Sequence, residues 1–175
     1  MTRSSRQQWL EAWNPDKVNG IARKTEDECY LADTPTMLEL DVQFGSRTSE
    51  EWLVCQLTRL NETSGTKRKM DESKLEWTAT VLSVNGRHVK ASEMLLFFYK
   101  LRSQQYGQFY GSVDPDMIIR SFSTFMEQRM DAYARHEQEA YWKKLEEERK
   151  HAVSHADAIN TEEYRRGYED AEKRQ

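Results

Sequence analysis

Several residue sets in this chain have the types and spacing from which chemistry is built. His151 and His155 stand four apart, so on a helix they share one face, as two zinc ligands must. No Glu sits beside His151 in a metalloprotease pattern and no third ligand is near, so a solvated charged helix is the stronger reading and no metal is expected. Cys29 and Cys55 are the only thiols, and a nucleophile needs a base and an orienting group. His88 is the one base considered for Cys55, and nothing places it there. Both cysteines therefore read as small apolar residues of a protein in a reducing compartment. Glu93 is the one carboxylate inside the most apolar stretch. Burying it requires a basic partner or a free helix-end amide. No second inward acid completes a catalytic pair. Gly107 and Gly111 flank aromatic residues but lack the Lys-Ser or Lys-Thr of a phosphate-cradling loop. The expectation is a protein that is not an enzyme, with no catalytic residues and no cofactor.

Binding chemistry is better represented. The run Gln105-Tyr106-Gly107-Gln108-Phe109-Tyr110-Gly111-Ser112-Val113-Asp114-Pro115 joins the apolar segment Met94 to Tyr99 to a long charged helical pattern. A loop ordinarily keeps apolar surface low, so its three rings either pack inward or meet a partner. Lys100 and Arg102 put positive charge beside these rings, a combination suited to single-stranded nucleic acid. The competing reading packs the rings onto the flanking helices and lets the basic side chains balance acids. Trp9 and Trp13 lie on a short amphipathic segment that is too short to hold a helix alone, so they dock onto their own bundle or onto a partner. The candidate partner-binding residues are thus Lys100, Arg102, Tyr106, Phe109, Tyr110, Trp9 and Trp13.

These residues must be positioned by few, long elements. Among 175 residues there are seven glycines and three prolines, too little turn punctuation for a sandwich or barrel. Apolar content is 37% and charged content 32%, polar enough to imply exposed helices or tails around one domain. The net charge of −4 gives no general argument for nucleic-acid binding. The longest apolar run falls far short of the roughly 20 residues of a bilayer span. No leader pattern follows the basic start, so a cytoplasmic protein without membrane association is expected.

Capping signals place the helices. Ser4 and Ser5 precede Gln7 and Gln8 in two overlapping boxes, and Asn14-Pro15 ends that segment. Residues 16–32 look like a surface linker. Thr34-Pro35 reads as N-cap and first position of a helix burying Met37, Leu38, Val42 and Phe44, stopped by Gly45. Thr48 with Glu51 opens the next, whose stripe is Trp52, Leu53, Leu57 and Leu60. Asp71 caps a third helix ended by Asn85-Gly86; a hairpin at Asn85-Gly86 is the rival, rejected because the period before it is 3.6 rather than 2. A fourth, from about Val89 to Gln105, is apolar all round and therefore central. Asp114-Pro115 starts a fifth with Ile118, Ile119, Phe122, Phe125, Met126 and Met130 inward. The expected architecture is all-α. It has a bundle of about five helices over residues 34–135, an amphipathic N-terminal segment and linker over 1–33, and a long charged helical extension over 136–175 whose last residues fray.

The run Glu93 to Phe98, then Lys100-Leu101-Arg102, the aromatic-glycine motif Tyr106 to Pro115, Phe125-Met126-Glu127-Gln128-Arg129 and Trp9 to Pro15 together resemble an uncharacterised family of small helical proteins carried by bacterial phages and integrative mobile elements. The family pattern has a glycine-containing pair where this chain has Gln104-Gln105. That family carries no established activity; the residues themselves read as an interaction or adaptor protein with a protein partner such as replication machinery or a host complex, and fold-level analogy with small helical accessory proteins of phage replication sets it in the replication or maintenance of a mobile element. Two alternatives stay open: a single-stranded nucleic-acid-binding accessory protein, and an inhibitor of a host enzyme or defence complex.

Overall fold

Residues 3–172 are described by the computed structural model, and side chains are described for most of them. Those of Ser4, Ser5 and His155 are not, so the two N-terminal capping boxes and the histidine pair lie outside the described residues, as does the expected fraying of 173–175. The described chain is all-α: helices α1 (Arg3–Ala12), α2 (Val18–Ile21), α3 (Glu26–Tyr30), α4 (Met37–Phe44), α5 (Thr48–Thr63), α6 (Glu72–Asn85), α7 (Ala91–Arg102) and α8 (Pro115–Glu172), with a 3-10 turn at Pro15–Lys17. Only isolated β-bridges, Thr36 with Lys90 and Arg68 with Ser112, occur among the described residues. None of the helices is long and apolar enough to cross a membrane.

The chain divides into a first unit ending at Ala132 and a second beginning at Tyr133. In the first, α7 is the buried centre. Every residue from Ala91 to Phe98 is buried, as an all-round apolar helix demands. Phe97 meets Phe122 and Phe125 of α8 at ring separations of 5.1 and 5.5 Å, edge-on and tilted, the arrangements aromatic quadrupoles favour. The other layer is α5 against α6 and α4. Gly86 closes α6 where the chains crowd: a Cβ there would stand 2.9 Å from the Phe122 ring and 2.7 Å from the Leu82 carbonyl. That glycine is a helix stop chosen for close approach, and the hairpin alternative falls with it.

Residues 16–32 are not a surface linker. Val18, Ile21, Cys29 and Tyr30 are buried, and α2 and α3 pack on α7. A capping box makes α3 possible: the Thr25 hydroxyl accepts from Glu28 N at 3.2 Å while the Glu28 carboxylate accepts from Thr25 N at 2.7 Å. Helix α4 likewise starts on Thr36 and Glu39 rather than Thr34-Pro35. Pro35 instead offers its carbonyl to Ala91 N at 2.9 Å, and Met37 N donates to Val89 O, tying this segment to the start of α7. The buried face of α4 is Met37 and Leu40, while Val42 is exposed and Leu38 and Phe44 are only partly covered. At α5 the expected Thr48–Glu51 box does not form. Thr48 donates to the Gly45 carbonyl, and Asp41 reaches from α4 to accept from Ser49 N at 2.8 Å. Asp71 caps α6 through Lys74 N, and Asp114 opens α8 by accepting from Asp116 N at 3.0 Å.

Within the second unit the side chains from Glu137 to His151 are exposed. Glu146 and Lys150 pair at 2.9 Å one turn apart, the orientation that best supports a solvated helix. The rings of Tyr141 and Trp142 touch edge to face.

Candidate interaction surface

Glu93 settles how α7 is held. It has no exposed surface, yet both its oxygens are used: Oε2 accepts from Lys90 N at 2.7 Å as the helix cap, and Oε1 accepts from Arg129 Nε at 3.0 Å. Arg129 also donates to the His88 carbonyl. A buried acid needs a cation or a helix-end amide, and Glu93 has one of each.

At the other end of α7 the chain leaves through a Schellman turn. Gln105 N donates to Lys100 O at 3.0 Å and Gln104 N to Leu101 O at 3.2 Å. Gln104 occupies the left-handed position with φ of 62°, where glycine is the usual residue. This is the place at which the sequence departs from the glycine-containing pattern, and the turn forms nonetheless. Gly107 and Gly111 carry the remaining positive φ values of the loop, 102° and 74°. The far end of the loop is stitched to the 65–70 loop: Arg68 N donates to Gly111 O at 3.1 Å and Val113 N to Arg68 O at 3.2 Å. The 65–70 loop is braced in turn by buried Asn61, whose amide accepts from Met70 N and donates to Met70 O.

The seven candidate residues do not form one surface. Lys100 is corrected outright. It is only 4% exposed, its Nζ pairs with Glu26 at 2.7 Å and donates to Gln128 Oε1 at 3.2 Å, so it has no charge to offer a phosphate. An ammonium on an apolar helix must find a carboxylate, and α3, read as linker, supplies it. Tyr106 also turns inward. Its hydroxyl donates to the same Gln128 oxygen at 3.0 Å, its ring lies 6.1 Å from that of Phe97, and burial pushes its phenol above the ordinary range, helped by Tyr30 and Glu26 nearby. Trp9 and Trp13 dock within the chain. They stack on each other at 5.8 Å, Trp9 meets Phe44 and Trp52, and the Trp52 indole donates to the Trp13 carbonyl at 2.6 Å.

Three candidates remain toward solvent. Arg102 and half-buried Phe109 share a cleft of about 310 Å³ with Leu60, Leu101, Gln104 and Gln108. Tyr110 is 84% exposed. A groove of about 800 Å³ is lined by Arg68, Lys69, Lys74 and Trp77 together with Ser112 to Asp116. Neither Trp77 nor the basic loop Lys67-Arg68-Lys69 is among the candidate residues that the sequence points to. The available signal was Lys74 and Trp77 three apart on a helix that begins just after that loop.

Cys55 is exposed, whereas Cys29 is buried, and burial pushes the Cys29 thiol up, away from a reactive thiolate. Among the described residues no cluster of three or more His, Cys, Asp or Glu side chains is placed to hold a metal ion.

No curated protein and no solved structure matches the chain. A family model, described as a family of unknown function, DUF6633, matches residues 69–175, which include the groove's α6 residues, the aromatic loop and all of α8. That match covers more than half of the sequence, and the chain belongs to the DUF6633 family.

Proposed function

We propose that this is a non-enzymatic interaction protein that docks a protein partner through the outer edge of the aromatic loop, with Tyr110 as anchor and Phe109 and Arg102 beside it. One observation carries the reading. The loop is pinned at both ends, by Tyr106 on Gln128 and by Gly111 on Arg68, yet the ring between them is 84% exposed. A pinned loop holding a tyrosine outward has already lost the entropy that binding would otherwise remove, and tyrosine is a frequent interface anchor. The cleft under Phe109 gives a partner side chain somewhere to enter. The architecture that serves this role is a helical body, built around the five expected helices and joined by α1 to α3, with a long charged helical extension that steers or pairs with a partner helix. The context of mobile-element replication or maintenance rests on the sequence resemblance and the fold-level analogy.

Affinity capture of the tagged chain with and without nuclease, wild type beside Tyr110→Ala, tests this. The expected result is a nuclease-resistant partner whose affinity falls by about 30-fold in Tyr110→Ala, the loss typical of a central anchor. A variant with wild-type circular dichroism that retains every partner at full affinity refutes the docking surface.

A further inference from the structure

The groove next to the aromatic loop carries its own chemistry, independent of the Tyr110 edge. Its lining includes three cations and a ring. Lys74 and Trp77 are one turn apart on α6, and the Trp77 indole is 52% exposed, unusual for the largest apolar side chain. Arg68 and Lys69 join the lining from the stitched loop. Lys69 Nζ donates to Ser64 Oγ at 3.2 Å and to the Glu62 carbonyl at 3.5 Å without meeting a carboxylate among the described residues, and Lys74 faces Asp71 at 3.4 Å across an exposed pair of little strength. The Arg68 guanidinium has no hydrogen-bond or ion-pair partner among the described residues, although the Arg68 backbone is fixed by three hydrogen bonds. The lining also carries Asp114, whose Oδ1 is occupied as a helix cap, and exposed Asp116.

We infer that this groove binds single-stranded nucleic acid, with Trp77 stacking on a base and Arg68, Lys69 and Lys74 taking backbone phosphates. A cationic lining with an exposed ring is the arrangement by which single strands are held, since phosphates need charge and unpaired bases need a flat apolar face. Asp116 supports the choice of a single strand over a duplex. A carboxylate repels a second phosphate backbone but accepts a hydrogen bond from the amino group of an unpaired base. The groove also replaces the role sequence reading gave to Lys100, whose charge is spent on Glu26.

The test is fluorescence anisotropy with a labelled 15-nucleotide single strand, the same sequence as a duplex, and inorganic phosphate as competitor. Three phosphate contacts on a single strand give a log–log salt slope of about −2, so binding weakens about 15-fold between 50 and 200 mM salt. Trp77→Ala is expected to weaken binding by about ten-fold or more, through loss of base stacking. Arg68→Gln with Lys74→Gln is expected to bring the salt slope toward −1. Circular dichroism confirms that these variants at exposed positions remain folded. Phosphate that competes only at concentrations comparable to ordinary salt supports a strand site. The inference is overturned by absence of binding at 50 mM salt, by a duplex bound as tightly as the single strand, or by a folded Trp77→Ala variant that binds as wild type. Tyr110→Ala should leave this binding unchanged; a loss equal to that of Trp77→Ala overturns assignment of the strand to this groove.

Discussion

Replacing Arg129 by methionine removes the cation that faces Glu93 inside the first unit. Opposite charges 3.0 Å apart attract by about 5 kcal/mol at an effective dielectric of about 20, and desolvating the two groups offsets much of that. The single replacement keeps the desolvation cost and loses the attraction. It also removes the bond to the His88 carbonyl. A loss of about 3–5 kcal/mol is therefore expected, a large part of the ~5–15 kcal/mol that holds a domain folded. Glu93→Gln retains an oxygen to accept from Lys90 N and nearly the same volume, so it should cost less, about 1–3 kcal/mol. In Glu93→Gln with Arg129→Met no uncompensated charge remains, and the loss should fall short of the sum of the singles by about 2 kcal/mol. Urea unfolding followed by far-ultraviolet circular dichroism measures all three variants. With a slope of about 2 kcal/mol per molar, Arg129→Met should lower the midpoint by about 2 M. Losses that add to within about 0.5 kcal/mol would refute the reasoning, because they would mean that the two side chains do not act on each other.

Gln104→Gly should stabilise the protein by about 1 kcal/mol in the same urea assay, since it relieves a left-handed position while the Schellman bonds at the end of α7 persist; a lower midpoint would show that the Gln104 side chain matters more than its backbone angle. Tyr30 and Tyr106 both hold their phenolic protons above the ordinary range because of burial. Their contribution to stability is thus fully present below the usual tyrosine pKa of about 10 and is lost as pH rises from there through the folded-state values. Urea midpoints should stay level up to about pH 9.5 and fall above it, less steeply in Tyr106→Phe; an unchanged slope in that variant would remove Tyr106 from the account.

Much of the framework was legible because it is written in bonds between residues three or four apart. Asp71 and Asp114-Pro115 start helices as read, Asn85-Gly86 stops one, and the Trp52, Leu53, Leu57 and Leu60 stripe is buried. Where the reading failed, the local signal was often still there. Thr36 with Glu39, just after Thr34-Pro35, and Thr25 with Glu28, inside the 16–32 stretch, are complete capping boxes. A five-residue helix with one buried face has too few apolar positions to announce itself by periodicity.

The candidate surface was much less legible. Composition and spacing established the all-α class, the apolar centre at Met94 to Tyr99 and an aromatic loop at the exit of that helix. Which ring faces solvent was decided by partners far away in the chain: Gln128 for Tyr106, Glu26 for Lys100, and the 65–70 loop for the stretch after Tyr110. The groove with Arg68, Lys74 and Trp77 exists only because that loop meets Ser112 across more than forty residues of sequence. A cap closes on its own turn of backbone and so is encoded where it stands. The exposure of a charge or ring depends on which distant group reaches it first, and only the packed chain brings those groups together.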